Sequence, residues 1–111
     1  MAFMPDEQRE RILKRDKLYF YGDASAMDTK RLGKEFLECR RSGFSQDKGE
    51  FQHGINAISA PVFGPAGRII GCVLLIGTFP DALIQKHGQK VAGVVRQISG
   101  KLGADSDLVY K

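Results

Sequence analysis

The chain has 111 residues, a formal charge of +4 and a pI near 9.2, with 42% hydrophobic and 27% charged residues. These values fit one soluble domain with a single core, and no apolar run approaches the ~20 residues of a membrane span. The N-terminus, MAFMPDEQRER, lacks the shape of a signal peptide, so a cytoplasmic chain is expected, with Cys39 and Cys72 as reduced thiols.

The basic excess does not form a patch. Arg9, Arg11, Lys14, Arg15 and Lys17 alternate with Glu7, Glu10 and Asp16, and Lys30, Arg31 and Lys34 sit among Asp28, Glu35 and Glu38. Interleaved charges of this kind decorate solvated helix faces. No helix-turn-helix, zinc-finger or RNA-recognition pattern accompanies them.

Taken in order, Pro5-Asp6-Glu7 starts a first helix, with proline near its first position and acids at the positive end of its dipole. It reaches Lys14 or Arg15, with Ile12 and Leu13 as its few buried contacts. Lys17–Ala26 reads as an extended connection or short strand. Asp28 or Thr29 caps a second helix that ends at Ser42 before Gly43, with Leu32, Phe36 and Cys39 as a core-facing stripe.

From Gly43 to Gly77 the chain turns to strands. A short lead-in strand and an acidic turn, Asp47-Lys48-Gly49-Glu50, precede two apolar runs, Asn56–Phe63 and Arg68–Gly77, joined by Gly64-Pro-Ala-Gly67. That composition predicts a hairpin with Phe63 opposite Arg68. Ile58, Ala60 and Val62 then share a wholly apolar core face with Ile69, Gly71, Val73 and Leu75. Ala57, Ser59 and Pro61 share the other face with Ile70, Cys72, Leu74 and Ile76, where the small or polar Ala57, Ser59 and Cys72 leave room for something other than a side chain; a one-residue bulge would swap the two faces. Pro61 has no N–H to give a ladder, so that side must meet an edge or a bulge.

Thr78-Phe-Pro-Asp81 resembles a capping box opening a long last helix, with Ile84, Val91, Val95, Ile98 and Leu102 on one face and Gly103 as its stop. Gly88 lies on the apolar side, where a missing side chain permits close approach. Residues 104–111 read as a polar tail.

Little here points to catalysis. Asp47 and Glu50 are two carboxylates near a turn, but acids there more often cap backbone N–H groups. No nucleophile stands with a base, His53 and His87 lack metal-ligand spacing, and the glycines do not lead into a helix as a phosphate loop does. The chain is expected to be no enzyme and to need no cofactor or metal.

The run from Arg40 to Gly77 resembles the effector-binding domain of the isocitrate-lyase-regulator (IclR) family of bacterial transcription factors. The similarity rests on an ordered set: Arg40-Arg41-Ser42-Gly43, Asp47 to Glu50, Gly54, Ala60-Pro61-Val62-Phe63, Gly67, Gly77 and Leu102-Gly103. The resemblance implies an α/β (α+β) GAF-like fold, an antiparallel sheet flanked by helices with a long C-terminal helix, over residues 1–103. It implies a pocket over the sheet for a small organic acid or aromatic metabolite, at Asp47, Ala57, Ser59, Leu74 and Ile76. It also implies a dimer or tetramer that meets DNA only through an N-terminal winged helix, which, like the domain's opening strands, lies outside this chain. Leu74 and Ile76 stand where many members carry small polar residues, which makes the expected pocket more apolar. The alternative is an assembly module that binds no ligand.

Overall fold

The computed structural model describes residues 1–14 and 29–111. Among these, helix α1 (Asp6–Leu13) and helix α2 (Thr29–Ser42) precede strands β1 (Ser45–Lys48), β2 (Asn56–Phe63) and β3 (Ile69–Gly77). A 3₁₀ turn (Asp81–Leu83) leads into α3 (Ile84–Lys101), and a short α4 (Ser106–Val109) follows. The strands form one antiparallel sheet in the order β1-β2-β3. The expected connection at Lys17–Ala26 and the candidate cap Asp28 lie outside the described residues.

The core forms where β2 meets α3. Ile58, Ala60 and Val62 alternate with half-buried residues along β2, and their face packs against Ile84, Val91, Ala92 and Val95 of α3. Full burial of Ile58 and Val95 removes about 1.5–3 kcal/mol of apolar exposure each. Gly88 lets this helix in. A Cβ there would sit 2.3 Å from the Phe44 ring, so the aromatic occupies the space a side chain would need.

The hairpin has the expected faces but a different register. Phe63 pairs with Ile69 rather than Arg68, and an irregularity at Val62/Phe63 leaves Ile70 unpaired, so that Val62 meets Gly71 and Ser59 meets Leu74. Two one-residue offsets sum to an even shift. Each β2 residue therefore keeps its face while its partner moves two places along β3. Pro61 resolves as expected: β1 ends at the Ser45–Ser59 pair, so the side where Pro61 lacks an N–H faces no strand.

Both helix stops are glycines in the left-handed region. Gly43 (φ 89°) donates to the Cys39 carbonyl at 2.8 Å. Gly103 (φ 93°) and Ala104 donate to the Gly100 and Ser99 carbonyls, closing α3 in a Schellman motif. The start of α3 differs from expectation. Pro80 caps the 3₁₀ turn and Leu83 caps α3, neither with a side-chain bond, and the Asp81 carboxylate accepts instead from Asn56 Nδ2 at 2.8 Å. Asn56 is buried, and its amide needs the acceptors that Asp81 and the Phe79 carbonyl supply.

The C-terminal residues are not a polar tail. Ala104 and Tyr110 are buried in the core, and Tyr110 Oη bonds Ser99 Oγ at 2.6 Å and the carbonyls of Pro61 and Val95 at 2.7 and 3.1 Å. Ser99 Oγ in turn accepts from Phe63 N–H at 3.0 Å. Tyr110 and Phe3 also meet Phe63 edge-on, with centroids 5.1 and 6.2 Å away, tying both chain ends to β2. A single aromatic among Asp105, Ser106 and Asp107 carries too little pattern to betray this in sequence.

Three substitutions test this packing. Gly93 has open space at its Cβ position, so Gly93→Ala raises the melting midpoint by the helix-propensity gain of up to about 1 kcal/mol. Gly88→Ala offers the same propensity yet lowers the midpoint, because Phe44 must move, at a cost of about 1–3 kcal/mol. Tyr110→Phe costs a further about 1–3 kcal/mol in denaturant titration, from polar groups left short of a partner at the end of β2.

Candidate functional site

On the face of the sheet opposite α3, the middle of the sheet carries small side chains. Ser59, Pro61 and Cys72 lie there, with Ser45 paired beside Ser59. Above them stands α2, whose Leu32, Phe36 and Cys39 face down at helical spacing. The gap between helix and sheet is an open cavity of about 840 Å³, lined also by Met1, Ala2 and Phe3. The α2 stripe, expected to pack in the core, lines this cavity instead. Leu37, one residue round the helix, is 71% exposed.

The rim is charged. Arg31 on α2 donates from Nε to Glu35 at 2.8 Å and from its other arm to Glu50, in the turn after β1. The Glu50 hydrogen bond, with that of Glu35 behind it, holds the Arg31 guanidinium above its ordinary pKa. Arg31 thus latches the helix to the turn across the cavity mouth, with Lys48 alongside. The Arg31–Glu35 spacing was legible as a helical pair, whereas Glu50 lies nineteen positions away in sequence and only the fold brings it near.

The five residues marked from sequence fall in two adjacent rows. Asp47, Ala57 and Ile76 are cross-strand neighbours, and Ser59 and Leu74 form the next row. Ser59 alone among them lines the cavity. Asp47 is turned to its own loop, where its carboxylate accepts from the N–H groups of Glu50 at 2.7 Å and Phe51 at 3.4 Å. Leu74 and Ile76 are each 59% exposed, beyond the cavity on the outer strand. Sequence reading passed over Leu32, Phe36 and Arg31, because an amphipathic stripe looks the same over a cavity as over a core.

The histidines stand apart from the cavity. His87 meets the Phe79 ring edge-on at 5.1 Å, and His53 is exposed. Asp47 and Glu50, the two carboxylates weighed for acid–base work, are engaged by backbone N–H groups and by Arg31 respectively.

The two cavity thiols differ. Burial on the sheet-facing side of α2 pushes the Cys39 thiol above its ordinary pKa, while Cys72 is exposed on β3.

A profile of the family described as "Bacterial transcriptional regulator IclR C-terminal" matches residues 1–103. The chain belongs to this family. The HTH-type transcriptional regulator KipR of Bacillus subtilis is 24% identical over 106 residues, covering 93% of this chain and 42% of that protein. Among solved structures, the IclR of Thermotoga maritima superposes with a TM-score of 0.79 at 24% identity, over 93% of this chain and 43% of its own. The Agobacterium tumefaciens repressor BlcR gives 0.77 at 20% identity, covering 93% of this chain and 43% of its own. The C-terminal domain of the E. coli regulator KdgR gives 0.74 at 20% identity, covering 94% of this chain and 65% of that one. The antiparallel sheet with its long α3 is therefore the fold of IclR C-terminal domains. The chain spans about two-fifths of the length of the curated relative it matches. The family is one of transcriptional regulators rather than enzymes, and among the described residues no helix is long and apolar enough to cross a membrane.

Alkylation resolves the thiols. Iodoacetamide modifies Cys72 in the native chain, and Cys39 reacts only on unfolding, as peptide mass mapping will show. Stability also falls as pH rises past about 8.5, where the unfolded Cys39 thiol ionises while the buried one keeps its proton.

Proposed function

We propose that this chain is the small-molecule-sensing and assembly module of an IclR-type regulator, which reaches DNA only through a winged helix carried elsewhere in the full protein. The cavity between α2 and the sheet carries this reading. Its volume of about 840 Å³ lies within the ~300–1,000 Å³ typical of small-ligand sites. An apolar roof from Leu32 and Phe36 and a hydroxyl at Ser59 suit a small, largely apolar or aromatic metabolite, while at the rim Arg31 is already paired with Glu35 and Glu50. In this reading the effector acts through the roof, where the exposed Arg31–Glu50 pair links α2 to the turn after β1. A ligand that fills the gap adds apolar contact between the two layers and sets the position of the helix.

Thermal melts against organic acids and aromatic metabolites test the reading. A ligand at about 100 times its dissociation constant adds ~2.7 kcal/mol, which for a domain of this size raises the midpoint by roughly 10 °C or more. Ser59→Trp fills the floor of the cavity and abolishes the shift while circular dichroism stays native. Flat melts across the whole panel favour the second reading, an assembly module without a ligand. The observation behind that reading is the exposed apolar strand β3.

A further inference from the structure

The positive charge of this chain is concentrated on one helix. α3 carries Lys86, Lys90, Arg96 and Lys101 and no acidic residue. The whole chain has 17 Lys and Arg against 13 Asp and Glu, so outside α3 the two signs cancel and the helix accounts for the formal +4.

Three of these cations also share a side. Lys86, Lys90, Val94, Gln97 and Lys101 follow one another at steps of three or four residues, the period of one helix face, and all are exposed. Gly88, Val91, Val95 and Ser99 form the opposite side, buried in the core. The lysine row therefore points away from the sheet and runs on the order of 22 Å along the axis. A wider sheet would grow in its own plane and leave this row uncovered. Among the described residues, Lys86, Lys90 and Lys101 have no ion-pair partner. Arg96 stands apart, with its guanidinium 5.1 Å from the centre of the Tyr110 ring.

Beside the row, Gly93 is exposed, and a Cβ there would meet nothing within 4 Å. Glycine weakens a helix relative to alanine, and no packing among the described residues requires one here. It leaves a gap through which a second backbone can come close to α3.

We propose that the outer face of α3 docks an acidic helix of a partner protein, with carboxylates on Lys86, Lys90 and Lys101 and an apolar side chain over Val94 and Gly93. Charge complementarity makes the partner acidic, because a row of unneutralised lysines repels any cationic surface. A helix repeats its side chains at the spacing of the row over the full length of the row. Val94 argues against a phosphate backbone. It is 45% exposed in the middle of the row, where an apolar side chain gains nothing from phosphate. An apolar centre between charged ends is instead the pattern of a protein interface. A second copy of this chain does not offer such a helix. The acids of α1 and α2 alternate with bases, and Asp6, Glu35, Glu38 and Glu50 are already paired with arginines. The face lies across the sheet from the cavity, so this interaction goes beyond metabolite sensing and does not rest on it.

Fluorescence anisotropy on the full chain tests the surface, with a labelled synthetic helical peptide as probe. Its glutamates are spaced to meet the three lysines and its leucine to meet Val94, and a control peptide replaces each glutamate with glutamine. The glutamate peptide binds, with an affinity that falls as salt rises, and the control binds more weakly. Lys86→Gln, Lys90→Gln and Lys101→Gln together lower the affinity by about tenfold, as three exposed ion pairs would. Removing as many charges at Lys34, Arg68 and Lys111 leaves it nearly unchanged. Gly93→Ala separates docking from folding, since it raises the melting midpoint of the chain alone yet weakens the peptide. Absence of binding overturns the proposal, and so do equal losses from both triple variants, which would make net charge responsible rather than a surface. Unchanged affinity in Gly93→Ala also overturns it, as does a random-sequence DNA duplex that binds more tightly than the glutamate peptide.

Discussion

Burial of the Ile58-Ala60-Val62 face against α3 is the constraint on which the other features depend. It places β2 in the middle of the sheet with one face committed to the core. The alternating face is then held at fixed height on the other side, and whatever lies there is free to serve a purpose besides packing. Gly88 and Phe44 set how closely the two layers approach, since a single methyl group at Gly88 would collide with the ring.

The second face has a looser partner. α2 presents Leu32, Phe36 and Cys39 to it without filling the space between. An ion pair at the rim is a weak clamp in water, worth little in net stability. A fully packed helix would resist displacement, because every gap would cost lost contacts. Softness on one side of β2 is compatible with a stable domain only because the other side is firmly packed.

β2 also ends in an unusual way. Beyond Ser59 no strand among the described residues lies on its β1 side, and Pro61 has no N–H to leave unsatisfied there. The remaining polar groups, the Pro61 carbonyl and the Phe63 N–H, are met by Tyr110 and Ser99. A side-chain network thus substitutes for a missing strand and binds the C-terminal residues into the core.

Period-two alternation determined the faces of the hairpin from sequence alone, and they survived a two-place error in register because parity, not pairing, decides which way a side chain points. Glycine chemistry determined the helix stops at Gly43 and Gly103, where a left-handed backbone favours a residue without a Cβ. The ordered motifs from Arg40 to Gly77 were enough to indicate the family. Tertiary structure alone decided what each apolar stripe faces. Leu32, Phe36 and Cys39 look like core residues by spacing, and only the distance between α2 and the sheet makes them a cavity roof. The same holds for Tyr110, whose partners Pro61, Val95 and Ser99 are remote in sequence, and for Asp81, which a buried Asn56 draws away from capping. Local rules specify how a segment folds and which way its side chains point. Long-range packing specifies what those side chains meet, because it depends on elements that no short window of sequence contains.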